Sequence, residues 1–338
     1  MTSPNHDAHV ASTGVSASAS GSGRSAAIPG ITNLPTPARL TVGIVSAGRV
    51  GTALGEALER AGHVVGAVVA RSAHSRRRAA TRLPDSAVLD LGDVVARAEL
   101  LVIAVPDSEL VEVVDRIADS GTLRPRTLVV HTAGAHGVGV LARLTALGAL
   151  PLAIHPAMTF VGTDDDTARL AQACFGITAA DEVGEAIASA LVLEMGGEPV
   201  RIAEADRTLY HAALAHGANH LIALITDAVA ALDAAIGGPD GSAQAATVDG
   251  DPVRLAERIL GPLVTASLQN VLDLGRDALT GPVARGDAAA VAAHLDALRA
   301  LPGGGAPDSL AEAYRMMARR AAHQSDAPHP VLDVLEPR

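Results

Sequence analysis

The chain has 338 residues, 49% of them hydrophobic, enough apolar mass for two domains with real cores. A net charge of −11 and an aromatic content of 1% argue against nucleic acid or an anionic membrane surface as the main partner, since cationic patches and stacking rings are both scarce. The single cysteine, Cys174, excludes a disulfide framework and fits a reducing cytoplasm. All 26 cations are arginine, so no lysine can act as acid, base or Schiff-base amine.

Residues 1–38 are rich in Ser, Ala, Gly and Pro and read as a disordered tail, not a signal peptide. Residues 40–45 form a short apolar run of the kind found in a buried parallel strand. Gly48 and Gly51 then mark a turn, and residues 52–60 have helical periodicity. This strand, glycine turn and helix make the phosphate-binding start of a dinucleotide fold. The helix N-terminus offers unpaired N–H groups and a partial positive charge to an anion. Ser46 stands where the first glycine of G-x-G-x-x-G is usual, so Ser46, Gly48, Arg49, Val50 and Gly51 are the expected cofactor turn.

Further strands are predicted at 64–69, 87–89, 100–105, 127–131 and 150–154, and near 174–178 and 199–202. Helices are predicted at 72–82 and 110–118 between them. That alternation predicts an α/β fold, a doubly wound parallel sheet with every strand's C-terminal end along one crevice. From residue 206 the pattern turns all-helical, with helices over 207–232, 254–274, 288–300 and 309–321 and a loop over 237–250. The domains are thus a tail to 38, a nucleotide-binding domain over 39–203, a helical substrate and dimerisation domain over 204–322, and a flexible tail over 323–338. No apolar run reaches about 18 residues, so no membrane-spanning helix is expected.

An NAD-binding fold of this type places Asp or Glu at the end of the second strand, to hold the ribose 2′-hydroxyl. Here that place reads Val69-Ala70-Arg71-Ser72, followed by Arg76, Arg77 and Arg78. Arg71 and Ser72, helped by one or two later arginines, suit a 2′-phosphate, so NADP(H) is the expected cofactor. Arg76–Arg78 read equally as the solvated face of a helix.

Three strand ends carry polar groups. Val105-Pro106-Asp107-Ser108 is expected beside the nicotinamide ribose, and His131-Thr132-Ala133-Gly134 next to it. The third is His155-Pro156-Ala157-Met158-Thr159-Phe160, where His155 is a proton-donor candidate, or else an ordinary capped strand end, and Thr159 a substrate contact. On the long helix, residues 211, 215, 218, 219 and 222 fall within about 120° of one another. That face presents His211, the alternative proton donor to His155, and Asn219, which would orient the substrate oxygen or carboxamide, among small residues, as either a ligand wall or a helix interface. His216 and His220 have metal-ligand spacing, but no third ligand stands out, so no metal is expected. Arg285 is a candidate clamp for a substrate carboxylate, ahead of Asp287 as a helix N-cap.

Taken in order, Gly-Ile-Val-Ser-Ala-Gly-Arg-Val-Gly, Val-Pro-Asp, His-Thr-Ala-Gly, His-Pro-x-x-x-Phe, Leu-Tyr-His-Ala-Ala…Asn and Gly-Pro-x-x-Arg-Gly-Asp resemble a family over residues 39–301. It is that of uncharacterised Rossmann-like oxidoreductases with a C-terminal helical domain of unknown function. That family is similar to the 6-phosphogluconate and 3-hydroxyacid dehydrogenases, ketopantoate reductases and pyrroline-5-carboxylate reductases. The resemblance implies NADP(H) binding, a helical domain that forms a homodimer, and reduction of a small carbonyl or imine, with a ketopantoate-like 2-keto acid as first substrate. Hydroxyacid dehydrogenases and ketopantoate reductases carry Lys-x-x-x-Asn on the first helix of the second domain. Aligned on Asn219, this chain has Ala215 at the lysine place, so any proton donor differs. His-Pro-Ala-Met also resembles the His-Pro-Met segment of prephenate dehydrogenases, which supports an acid/base role for His155. The expectation is a cytoplasmic reductase; its rival is a non-catalytic NADP(H)-binding sensor.

Overall fold

The computed structural model of the protein describes residues 39–237, 246–248, 251–253 and 255–336. The predicted 1–38 tail lies outside them. The first half alternates strands and helices: β1 (Thr41–Val45), α1 (Arg49–Arg60), β2 (Val64–Val69), α2 (Ala73–Arg82), β3 (Ala87–Val88), α3 (Leu91–Arg97), β4 (Leu100–Ile103), α4 (Asp107–Asp119) and β5 (Leu128–His131). Next come α5 (Ala142–Ala146), β6 (Leu150–Pro156), α6 (Asp165–Leu170), β7 (Cys174–Ala179), α7 (Glu182–Glu194) and β8 (Glu198–Arg201).

The eight strands lie in one sheet in the order β3-β2-β1-β4-β5-β6-β7-β8. β1 to β6 are parallel, and both faces are covered, which is why these strands read as unbroken apolar runs. One core cluster joins Ile44, Leu54, Val102 and Phe175, and the other joins Val45, Val95, Ile103 and Ile117. The sheet corrects the all-parallel expectation at one place. β7 runs antiparallel to β6, with β8 parallel to β7. The connection over residues 157–173, which carries α6, brings the chain back beside β6 reversed.

The second half contains α8 (Arg207–Ile236), a hairpin of β9 (Ala246–Val248) and β10 (Asp251–Val253), α9 (Leu255–Leu274), α10 (Gly281–Arg285), α11 (Ala288–Arg299), α12 (Leu310–Gln324) and α13 (His329–Leu335). The hairpin replaces part of the predicted loop. α13 replaces part of the predicted flexible tail, because Val331 and Leu335 are buried with Val291 and Leu295 in a third core cluster. Helices α9 to α13 pack mainly on one another and on α8.

α8 is 30 residues long, and only Arg207 in it is buried. By length and composition alone, residues 204–236 include an 18-residue window apolar enough to cross a membrane, with a mean hydropathy of 1.4. Histidines, Asn219, Asp227 and Asp233 interrupt this helix, so it holds no unbroken apolar run of that length. Leu209, Ile222, Leu263, Leu272 and Leu274 on α8 and α9 are large, apolar and exposed.

Candidate functional site

The first half of the site is the β1–α1 turn. Ser46 has φ 84°, the left-handed conformation normally left to glycine, so it occupies the first-glycine place at some conformational cost. Gly51 has no such freedom of replacement. A β-carbon there would overlap the Ser46 carbonyl oxygen and press on Ile44 and Ala104. Gly48 caps α1 without a side-chain hydrogen bond, and no acidic residue stands in the first turn. The helix therefore presents its N–H groups to whatever approaches.

This turn opens into a cavity of about 410 Å³, lined also by Arg71, Ser72, His74, Ser75 and Arg78. Val105 lines it too, and Glu109 supplies the one carboxylate of the lining. Ser72 caps α2 in a reciprocal capping box with Ser75. Arg78 reaches from α2 to the Ala47 carbonyl at 3.3 Å and to His74 Nε2 at 2.7 Å. Arg76 bonds the Arg71 carbonyl instead, and Arg77 is not in the lining. Of the three later arginines, Arg78 is thus the one placed at the cavity. His74 and Ser75 were not singled out by sequence, although both stand in the first turn of a helix already expected to face this place. Arg49 turns to the Phe160 carbonyl at 3.3 Å, and half-buried Val50 packs on the core.

The second half of the site lies along the same sheet edge, since Val45, Ile103 and His131 are in register across β1, β4 and β5. Pro106 caps α4, and Asp107 accepts from Ala135 N–H at 3.3 Å. His131 does not face the crevice with its ring. It is fully buried, with Nε2 2.9 Å from the Gly137 carbonyl and Nδ1 accepting from Ala133 N–H at 3.2 Å. Those bonds fix the neutral Nε2–H tautomer, and burial lowers its pKa to about 4. These bonds make the His131 ring a brace for the loop that ends β5. Glu204, just before α8, accepts from Val138 and Gly139 N–H in the same loop.

His155 and His211 do meet. Their ring centroids are 5.8 Å apart, and a β-carbon on Gly134 would stand 2.6 Å from His211 Cδ2 and 3.0 Å from His155 Nε2. His155 Nδ1 lies 3.0 Å from the Tyr210 hydroxyl. Burial, then His211 and Arg207, lower the His155 pKa to about 4, opposed by Asp107. Asn219 is exposed and two helical turns beyond His211, roughly 12 Å along the axis. Thr159 is exposed after β6. Arg285 is exposed on α10, which packs on α11 and α12, so the structure does not bring it to these histidines. His216 and His220 bond each other at 2.7 Å, and no group of three metal-ligating side chains occurs among the described residues.

Residues 27–156 match the Rossmann-like domain, and residues 173–321 match a domain of unknown function, DUF2520. A candidate NADP oxidoreductase from Bacteroides fragilis is similar at 22% identity and TM-score 0.65, over 84% of this chain and 98% of that one. The protein TM1727 from Thermotoga maritima is similar at 19% identity and TM-score 0.59, over 85% and 98%. A reductive aminase from Aspergillus terreus, solved with NADPH4, cyclohexanone and allyl amine, is similar at 16% identity and TM-score 0.55, over 88% and 99%. Identities this low speak for a shared fold. No curated protein matches the sequence. The chain thus matches a Rossmann-like domain over residues 27–156 and a DUF2520 domain over residues 173–321, in that order.

Proposed function

We propose that the protein is an NADP(H)-dependent reductase of a small carbonyl or imine compound, active as a cytoplasmic homodimer. The observation that carries this reading is one sheet edge holding two complementary features. At β1 and β2 stands an arginine-lined anion cradle, and at β5 and β6 a cluster of histidines against α8. The cradle fits the group: Gly48 leaves space at a helix N-terminus, while Arg71, Ser72 and Arg78 suit a 2′-phosphate. Bound NADPH supplies the hydride. His155, with its Nε2 toward Gly134 and His211, gives the proton. The similar structures assigned to NADP oxidoreduction and reductive amination support the same chemistry. A ketopantoate-like 2-keto acid is the first substrate to try, with cyclic imines second. The exposed apolar residues of α8 and α9 support a helical dimer face.

The test is a titration with NADPH and NADH followed by nicotinamide fluorescence, then a screen of keto acids and imines. Tight, NADPH-selective binding that weakens roughly 10- to 100-fold in Arg71→Ala supports the reading, that being the effect of one lost charge-assisted contact. Binding without turnover across the screen would leave a sensor. No binding would overturn both.

A further inference from the structure

Tyr210 is the most constrained polar group around His155. Its ring stands edge-on to His155 with centroids 5.6 Å apart, and its hydroxyl is 3.0 Å from Nδ1. Gly176 of β7 makes the room: a β-carbon there would lie 2.6 Å from the phenol oxygen and 2.7 Å from Cζ. Burial raises the pKa of this phenol, opposed by Arg207 and the Gly176 backbone, so at neutral pH it carries its proton. That proton is free to point at Nδ1.

Arg207 lies beside the ring, its guanidinium carbon 5.8 Å from the ring centroid. It is 1% exposed and donates to Thr178 Oγ1 at 2.8 Å and to the Ala153 and Gly176 carbonyls at 3.1 and 3.2 Å. Its Nη1 is buried without a hydrogen-bond partner, and among the described residues no carboxylate pairs with it. A buried cation whose hydrogen bonds all go to neutral acceptors is costly, and Glu204 offsets its charge without an ion pair. A phenol able to become a phenolate next to it adds a negative charge at close range at the moment of reaction.

We propose that Tyr210 is the proton reservoir behind His155, passing its hydroxyl proton to Nδ1 as Nε2 gives its own proton to the substrate. The N–H bond at Nε2 breaks and one at Nδ1 forms, so the imidazole stays neutral throughout. The O–H bond of Tyr210 breaks, the Arg207 charge beside the ring stabilises the tyrosinate, and solvent later returns the proton. The hydride comes from the reduced nicotinamide named above. This inference rests on His155 as the donor, and it explains how a histidine that is uncharged at neutral pH can deliver a proton. The groups facing the pair are Arg207 and Cys174 around Tyr210, and His211, Arg207 and Asp107 around His155. Tyr210 is therefore a positioning residue that acts through His155.

The experiment needs neither cofactor nor substrate. With nitrogen-15-labelled histidine, the nitrogen spectrum of the free protein at neutral pH should show His155 as the Nε2–H tautomer with a hydrogen-bonded Nδ1. Tyr210→Phe, which keeps the ring, should remove that bond and mix the tautomers. The chain has two tyrosines and no tryptophan, so in Tyr314→Phe the near-ultraviolet absorbance of tyrosinate reports Tyr210 alone. Adding Arg207→Gln should raise its midpoint by about one pH unit or more. If that variant does not fold, the tautomer result decides. A proton on Nδ1 in the parent, a spectrum indifferent to Tyr210→Phe, or a midpoint indifferent to Arg207→Gln would overturn the proposal. Failure of the reductase reading shows separately, as absence of NADPH binding.

Discussion

Gly48 and Gly51 sit three residues apart in one turn, yet the structure gives them different duties that one pair of variants can separate. In Gly51→Ala, the new methyl would overlap the Ser46 carbonyl oxygen and stand 3.1 Å from Ile44 Cγ2 and 3.2 Å from Ala104 Cβ. None of these is the end of a flexible side chain, and Ile44 is fully buried, so α1 must move off β1. Overpacking of this kind costs about 1–3 kcal/mol. For a chain of this size that lowers Tm by roughly 2–4 °C per kcal/mol. In Gly48→Ala, the methyl meets only Ser46 Oγ at 3.4 Å, and φ of −75° suits any residue. The fold should lose about 0.5 kcal/mol, the cost of a poorer N-cap. The same methyl fills space that a phosphate needs against the helix N-terminus. Losing one such charge-assisted bond costs about 1.5–3 kcal/mol, or roughly 10- to 100-fold in NADPH affinity. Thermal melts and fluorescence titration of both variants give four readings. A Gly51→Ala melt equal to the parent's, or parental NADPH affinity in Gly48→Ala, would refute this reading of the turn.

Three other outcomes follow from the geometry. His155→Gln should cut turnover at least roughly tenfold while leaving NADPH affinity intact, because its ring lies at β6 and not at the cradle; normal turnover would remove it from the chemistry. His131 and His155 both have pKa values lowered to about 4, so unfolding takes up protons between that value and the ordinary 6.5. Their contribution is fully present above about pH 6.5 and falls as pH drops toward 4, at up to roughly 1.4 kcal/mol per pH unit for each. Urea unfolding at a series of pH values checks this, and a flat profile there would contradict the buried neutral rings. On the helical domain, Leu263→Glu with Leu272→Glu should turn a dimer into a monomer in sedimentation velocity without lowering helical content, and an unchanged mass would place any interface elsewhere.

Much of the first domain was legible because its constraints are local. Residues 40–60 encode a strand, a turn and a helix in one contiguous stretch, and even Ser46 announced itself as the departure from the glycine pattern. The missed helices α3 and α7 had weaker local marks. α3 is only seven residues, and α7, Glu182–Glu194, is apolar over most of its surface with little contrast between faces. α13 was missed because its stability comes from Val291 and Leu295, some forty residues away. The arginines after β2 could be named as a group, but which of them turns to the cavity depended on Arg76 finding the Arg71 carbonyl and Arg78 the Ala47 carbonyl.

The polar cluster shows most clearly where pattern reading stops. His155 and His211 could each be picked out, one at a strand end and one on a helix face. Tyr210 stood in the quoted Leu-Tyr-His motif without a role, because its role is set by a strand whose direction the sequence leaves open. Cys174–Ala179 is the same apolar run in either orientation. Only the antiparallel pairing sets Gly176 directly opposite His155. That glycine admits the phenol, its carbonyl accepts from Arg207, and α8 then delivers Tyr210 and His211 to opposite sides of one imidazole. The departure from an all-parallel sheet is thus the feature that builds the chemical end of the site. A sheet continued in parallel would keep the cofactor cradle at β1 and β2 while losing the register that seats the phenol against His155.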